Sequence, residues 1–312
     1  MKRLALIAMS GVRVRDPELL ALGLTMPGVV DRGRVIASLP SLGLLTLGGM
    51  TDGRFEVSYH EVDELPADGV PVEDVDVVAI SSFTARIRAA YQLADRYRAR
   101  GTTVLLGGLH VSACPEEATA HADTLVLGEA EPGWPRVLED LHHERLQPIY
   151  RASDAPFDLA ASPMPRFELL ADRPYDRYTV QTQRGCPWNC EFCGASIRLR
   201  PGYRTKPTAR SRAELEQIQA LGGRPFVELA DDNTFASLPH GHAVCDAFEG
   251  TGVRWFTETD ISFADHPDLV QRAADAGCVQ VLVGLESPTV GPLTGVELHQ
   301  DWKARQVARN HA

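Results

Sequence analysis

The sequence predicts an α/β protein of two domains, each built on a parallel sheet covered by helices. Three observations carry this. Short apolar runs alternate with helix-like stretches over residues 1–143, a proline-dense segment occupies 144–177, and four further strand–helix repeats fill 178–312. The 312 residues, 44% apolar and 23% charged, suffice for two cores, since single domains run to roughly 100–200 residues.

The first strand is Leu4 to Met9. Lys2 and Arg3 ahead of it imitate a signal peptide, but the apolar run is short and soon meets Arg13, Arg15 and Asp16, so it reads as a buried strand. Glu56 to Val62, Val75 to Ser81, Thr103 to Leu106 and Thr124 to Leu127 continue the series. Between the third and fourth strands, Ile87, Ala90, Tyr91, Ala94 and Tyr97 recur at helical spacing. Arg86, Arg88, Arg96 and Arg98 lie on the other faces, and Gly101 is the stop of this crossover helix.

Pro148, Pro156, Pro163, Pro165 and Pro174 break helices and ladders alike, which predicts an irregular linker. Strands follow near Thr179 to Gln183, Phe226 to Ala230, Arg254 to Glu258 and Val279 to Gly284. Four such units do not close an eight-stranded barrel. The second half is therefore expected to be an open curved sheet, a fragment of a larger barrel, or a sheet completed by a companion chain.

A net charge of −11 without a concentrated Lys/Arg patch argues against a nucleic-acid partner and favours a small-molecule substrate. No stretch approaches the ~20 apolar residues of a membrane helix, so no membrane partner and a cytoplasmic setting are expected. In that compartment six cysteines serve as ligands or core residues rather than disulfides. Cys114, Cys245 and Cys278, each isolated, read as small core residues.

The other three stand together in Arg184-Gly185-Cys186-Pro187-Trp188-Asn189-Cys190-Glu191-Phe192-Cys193, directly after a predicted strand. Three thiolates on one loop can wrap a cubane cluster and leave one iron with an open position, where electron-transfer clusters take four. A zinc site or unligated cysteines compete with this reading, but zinc usually takes four ligands in paired short spacings and no matching Cys or His pair follows.

The C-x3-C-x2-C spacing, with Phe192 before the last cysteine, resembles the radical-SAM superfamily. The resemblance implies a [4Fe-4S] cluster held by Cys186, Cys190 and Cys193, whose open iron takes the amino and carboxylate groups of S-adenosylmethionine while Phe192 lies near the adenine. It also implies that polar groups at later strand ends hold the cosubstrate. These are Asp231 and Asp232, in place of the family's Gly-Gly-Glu motif, Glu258, and Glu286 with Ser287. Helix capping is the alternative for each acidic cluster. Arg204 and Lys206 are candidates for the cosubstrate carboxylate, or members of a solvated loop.

In the first half, Ser41-Leu42-Gly43-Leu44-Leu45, Ser81-Ser82-Phe83-Thr84, Gly107-Gly108-Leu109-His110 and Gly128-Glu129-Ala130-Glu131 read as loops at one sheet edge. Their order is similar to the cobalamin-binding domain that precedes the cluster domain in one radical-SAM class. The implied cobalamin contacts are Ser41, Gly43, Ser82, Thr84, Gly107, Gly108, His110, Gly128 and Glu129, outside the strand C-terminal ends. Glycines would admit a bulky cofactor and hydroxyls would bond its amides. No Asp-x-His-x-x-Gly motif supplies a cobalt ligand, and His110 is a substitute candidate or a peripheral contact. A domain serving only as scaffold is the alternative.

The resemblance thus implies a doubly wound, flavodoxin-like cobalamin-binding domain over 1–143, a linker over 144–177 and a partial (β/α) radical-SAM barrel over 178–312. It implies reductive cleavage of S-adenosylmethionine with electrons from an external donor such as a flavodoxin or ferredoxin. Methyl transfer through cobalamin to an unactivated carbon is the favoured outcome. Two other readings stand beside it: radical-SAM chemistry without cobalamin, and a catalytically silent or partner-dependent iron-sulfur protein. The family normally continues for two more βα units, which prompts the latter.

Overall fold

The structure, a computed structural model, describes residues 1–9, 39–153, 155–171, 175, 177–188, 193 and 202–284. They group into two compact units, Met1–Phe157 with Pro163–Arg177, and Asp158–Ser162 with the described residues from Tyr178 onward.

In the first unit β1 (Lys2–Met9) is the inner strand, with Leu4 to Met9 no more than 1% exposed. Burial on both faces is what a continuous apolar run in a parallel sheet signifies. It pairs with β2 (Phe55–Glu61) and β3 (Val77–Ser82), after which come β4 (Thr103–Gly107), β5 (Thr124–Leu127) and β6 (Ile149–Arg151). The order is β2-β1-β3-β4-β5-β6, and every pairing is parallel. The first five strands follow the flavodoxin-like doubly wound order expected from the sequence, with the reversal at β1 and β3.

Helices α1 (Leu42–Met50), α2 (Ile87–Ala99), α3 (Leu109–Ala113), α4 (Pro115–Ala118) and α5 (Trp134–His142) cover this sheet. The apolar stripe expected on α2 is buried, joined by Leu93, and packs on Ile7, Ile80 and Leu106. Burial of Leu93 alone contributes about 1.5–3 kcal/mol. Trp134 of α5, 1% exposed, donates its indole N–H to Thr51 Oγ1 at 3.1 Å, just past the end of α1.

The stretch expected as an irregular linker is partly ordered into the first unit. Ile149–Arg151 extends the sheet beside β5, and the Arg166 amide donates to the Leu45 carbonyl at 2.9 Å. A side chain at Gly49 would collide with the Met164 carbonyl, so the stretch lies directly on α1.

The second unit has a four-stranded sheet formed by β7 (Arg177–Val180), β10 (Phe226–Leu229), β11 (Arg254–Asp260) and β12 (Cys278–Gly284), in the order β12-β11-β10-β7. Helices α6 (Thr208–Ala220), α7 (Leu238–Phe248) and α8 (Pro267–Asp275) join successive strands. Strands laid side by side in chain order, with a helix between each and the next, make the expected partial (β/α) barrel. Trp255 is fully buried, stacks on Phe248 at 4.8 Å and donates to the Ala276 carbonyl at 2.9 Å.

The strand expected from Thr179 to Gln183 ends at Val180, and β8 (Gln183–Arg184) leaves it to pair antiparallel with β9 (Arg204–Thr205). The Thr182 and Gln183 amides donate to Asp231 instead of to a neighbouring strand, at 2.7 and 3.0 Å. A side chain here takes the place of a ladder. Among the described residues no helix is long and apolar enough to cross a membrane.

Candidate functional site

In the first unit the parallel strands bring the expected cobalamin residues to one edge. Ser82 ends β3, Gly107 ends β4, Gly128 follows β5, and Thr84, Gly108, His110 and Glu129 sit just beyond. Ser41 and Gly43, expected in a loop, instead open α1, where the Ser41 hydroxyl accepts from the Leu44 amide as an N-cap. The Ser41 amide donates to Tyr59 Oη at 2.7 Å, fixing α1 at the end of β2, and Tyr59 donates on to Glu61 at 3.1 Å. Burial, then the neighbouring Glu61 charge, raises the Tyr59 pKa well above the usual phenol range.

Hydroxyls stitch this edge together. Ser82 Oγ donates to the Met9 carbonyl at 3.2 Å across the reversal point. Ser112 Oγ accepts from the Gly128 amide and donates to the Gly108 carbonyl, both at 2.9 Å, tying the ends of β4 and β5. A Cβ on Gly108, whose φ is +100°, would lie 2.8 Å from Ser81 Oγ, and one on Gly128 would meet the Ala152 side chain at 2.9 Å. These two glycines answer to packing within the edge. Gly43 has open space around it.

His110 lies between Thr84 Oγ1 at Nδ1, 3.0 Å, and Glu117 Oε1 at Nε2, 2.7 Å. Tyr91 Oη donates to the same Glu117 oxygen at 2.9 Å, and the bonds from His110 and then Tyr91 lower the Glu117 pKa. With both ring nitrogens engaged, His110 has none to offer a metal in this arrangement.

In the second unit the cysteine loop leaves β8 through Gly185, φ +80°, at the C-terminal side of the sheet. Cys186 and Cys193 are half-buried and not in a disulfide, whereas Cys190 and Phe192 lie outside the described residues, as do Glu286 and Ser287. The Gly185 amide donates to Asp232 at 2.9 Å, and Trp188 Nε1 donates to Asp260 Oδ2 at 3.0 Å. Asn233 donates from Nδ2 to that same oxygen at 2.7 Å, and its Nδ2 lies 4.0 Å from Cys186 Sγ. The loop is thus pinned by strand-end side chains of β10 and β11. Asn233 and Asp260 belong to the two acidic clusters that the sequence places at strand ends, Asp231-Asp232-Asn233 and Glu258-Thr259-Asp260, but nothing in the sequence assigns them, or Trp188, to holding the loop.

Beneath the loop is a buried polar layer. Asp231 Oδ1 accepts from the Thr182 and Gln183 amides, and Oδ2 from the Thr182 and Thr234 hydroxyls. Burial raises its pKa in spite of these donors. His240 Nε2 bonds Thr182 Oγ1 at 3.0 Å, and burial drives its pKa down to about 4. Lys206 and Glu214, 5% and 2% exposed, pair at 2.6 Å.

Residues 29–138 match the family described as B12 binding domain. The bacteriochlorophyllide d C-8(2)-methyltransferase of Chlorobaculum tepidum is 33% identical over 261 residues, covering 79% of this chain and 57% of that protein. The hopanoid C-2 methylase of Rhodopseudomonas palustris is 25% identical over 280 residues, covering 86% and 52%. Of solved structures, the cobalamin-dependent S-adenosylmethionine radical enzyme OxsB with aqua-cobalamin bound superposes with a TM-score of 0.68 at 14% identity, over 99% of this chain and 48% of that one. Residues 29–138 thus match a B12-binding domain, and the chain as a whole is similar to methyltransferases and to the fold of cobalamin-dependent radical-SAM enzymes.

The radical S-adenosylmethionine methyltransferase TsrM from Kitasatospora setae shares the same fold, with a TM-score of 0.64 at 14% identity over 99% of this chain. The chain spans roughly half the length of these relatives, 57% and 52% of the two methyltransferases.

The geometry revises two sequence expectations, for Asp231 and Lys206, and leaves that for Glu258 open to the cosubstrate. Asp231 has all four acceptor positions of its carboxylate engaged by the protein, so it is a support for the loop rather than a cosubstrate contact. Lys206, expected on a cosubstrate or in solvent, is buried against Glu214. Glu258 projects from β11 on the side opposite Trp255 and Thr257; desolvation and then the Glu228 and Asp232 charges raise its pKa.

Proposed function

We propose that this protein binds a [4Fe-4S] cluster through Cys186, Cys190 and Cys193, binds S-adenosylmethionine and cobalamin, and methylates an unactivated carbon of a small molecule. The observation that carries the reading is a B12-binding match over residues 29–138 in the same chain as a cysteine loop held at the strand ends of a partial barrel. The donor set fits the cluster: two described thiols lie on one loop, neither in a disulfide, with an amide N–H aimed at one of them. When bound, the cluster supplies the electron that cleaves the sulfonium and the corrinoid supplies the methyl group.

The chain's own residues bind and orient. Gly185 and Trp188, through Asp232 and Asp260, anchor the start of the cysteine loop, beside Cys186, at the strand ends. Asp232 and Glu258, with Glu286 and Ser287, are proposed to face the cosubstrate, and Phe192 its adenine. At the edge of the first unit, Ser41, Gly43, Ser82, Thr84 and the loops of Gly107, Gly108, Gly128 and Glu129 are proposed to seat the corrinoid, with His110 held at its periphery by Thr84 and Glu117. Residues 1–143 would form the cobalamin domain and 178–312 the cluster domain. A flavodoxin or ferredoxin would deliver electrons, in the cytoplasm, where thiols stay reduced.

The test is anaerobic reconstitution followed by S-adenosylmethionine and a strong reductant, with 5'-deoxyadenosine and corrinoid absorbance measured against Cys193→Ala. Product from the parent chain alone, with a corrinoid spectrum in both, is the expected result. A parent chain that takes up iron and sulfide but cleaves no S-adenosylmethionine overturns the reading.

A further inference from the structure

Asn233 is 4% exposed and held on both ends of its amide. Oδ1 accepts from Thr259 Oγ1 at 2.9 Å, and Nδ2 donates to Asp260 Oδ2 at 2.7 Å. An ionised carboxylate can only accept, so the edge of Asn233 facing Asp260 must be the NH2, and the usual ambiguity between amide oxygen and nitrogen is removed. Asp260 is itself immobilised: its Oδ2 accepts also from Trp188 Nε1 at 3.0 Å, and its Oδ1 from the Ser262 amide at 2.8 Å. An NH2 has two hydrogens, and one is taken by Asp260. The same nitrogen stands 4.0 Å from Cys186 Sγ, at the long end of N–H···S contacts.

We propose that Asn233 is the hydrogen-bond donor to the Cys186 thiolate that sets the reduction potential of the cluster, a role that rests on the cluster reading above. Reduction adds negative charge to the cluster and its thiolates, and a donor on a ligand sulfur stabilises the more negative state, which raises the potential. Asp260 strengthens the effect by polarising the amide from its far side, since bonds in a chain reinforce one another at low local dielectric. The arrangement also keeps the Asp260 carboxylate from bearing directly on the sulfur: the amide takes up its charge and presents an N–H instead.

The experiment is a redox titration of the reconstituted full chain, followed by the electron paramagnetic resonance signal of the reduced cluster, with iron and sulfide counted in every sample. Asn233→Leu is close in size and apolar, so it removes the donor without opening space for water. Thr259→Val leaves Asn233 in place but releases its Oδ1 anchor. The expected result is a full cluster complement in both, a potential shifted to more negative values in Asn233→Leu, and a smaller shift of the same sign in Thr259→Val. Should Asn233→Leu hold less than a full complement, the Thr259→Val comparison decides.

Potentials equal to the parent's, or more positive, overturn the inference and leave the cluster reading standing. A parent chain that takes up no cluster overturns both. Thermal melting of the apo chains separates a loss of fold, which a purely structural role predicts, from a changed potential at unchanged stability.

Discussion

A buried imidazole is a weak point in acid. His240 has a pKa of about 4 against 6.5 for the free side chain, because burial penalises its charged form. The unfolded chain therefore binds a proton that the folded chain refuses between these values, and stability is lost as the pH falls from 6.5 towards 4. From pH 7 to pH 5 the loss is about 2 kcal/mol, since each tenfold difference in proton affinity between the two states is worth about 1.4 kcal/mol. The raised pKa values of Asp231 and Glu214 act in the opposite direction, so the comparison is with His240→Gln, which keeps them. Urea unfolding at the two pH values should show the parent losing about 2 kcal/mol more than the variant; equal losses would place the imidazole in contact with solvent. At this scale the sequence is most informative where chemistry demands a pattern, as with the three cysteines, and least where a polar residue serves another. Nothing in the order of residues says that Asp231 caps two backbone amides, or that Lys206 turns inward to Glu214.

At the scale of elements, the edge of the first sheet separates two kinds of glycine. Gly108 combines a φ of +100° with a Cβ position 2.8 Å from Ser81 Oγ, so Gly108→Ala should cost about 1–3 kcal/mol in chemical denaturation. Gly43 lies in α1 with open space around it, and Gly43→Ala should stabilise the apo chain by roughly 0.5–1 kcal/mol. If Gly43 is glycine to admit the corrinoid, the same variant binds cobalamin more weakly while melting higher; unchanged affinity removes it from the site. The strands are legible because their apolar runs match burial: Thr124–Leu127 is the predicted strand residue for residue, and β1 begins only two residues earlier than predicted. β6 is not, since three residues beside Pro148 are too few to show a period. The opening of α1 reads as loop from Ser41 and Gly43, both of which suit a loop as well as a helix start.

For the whole molecule, each unit has a core of its own, which predicts that its two cofactors load independently. Cys193→Ala should lose cluster iron while retaining the parent's affinity for cobalamin in absorbance titrations; a parallel loss of both would mean that the corrinoid depends on the cluster loop. The strand order of the first unit also bears on how the chain is made. β1 is synthesised before both of its partners, Phe55–Glu61 and Val77–Ser82, yet it lies inside the sheet between them. At roughly 5–20 residues per second, several seconds pass before the second partner is even synthesised. Through that interval a wholly apolar strand, Leu4 to Met9, stands with at least one hydrogen-bonding edge open. Nascent-chain folding of this unit is thus set by the wait for β3, and holdase chaperones acting on the stretch from β1 to β3 should raise its soluble yield.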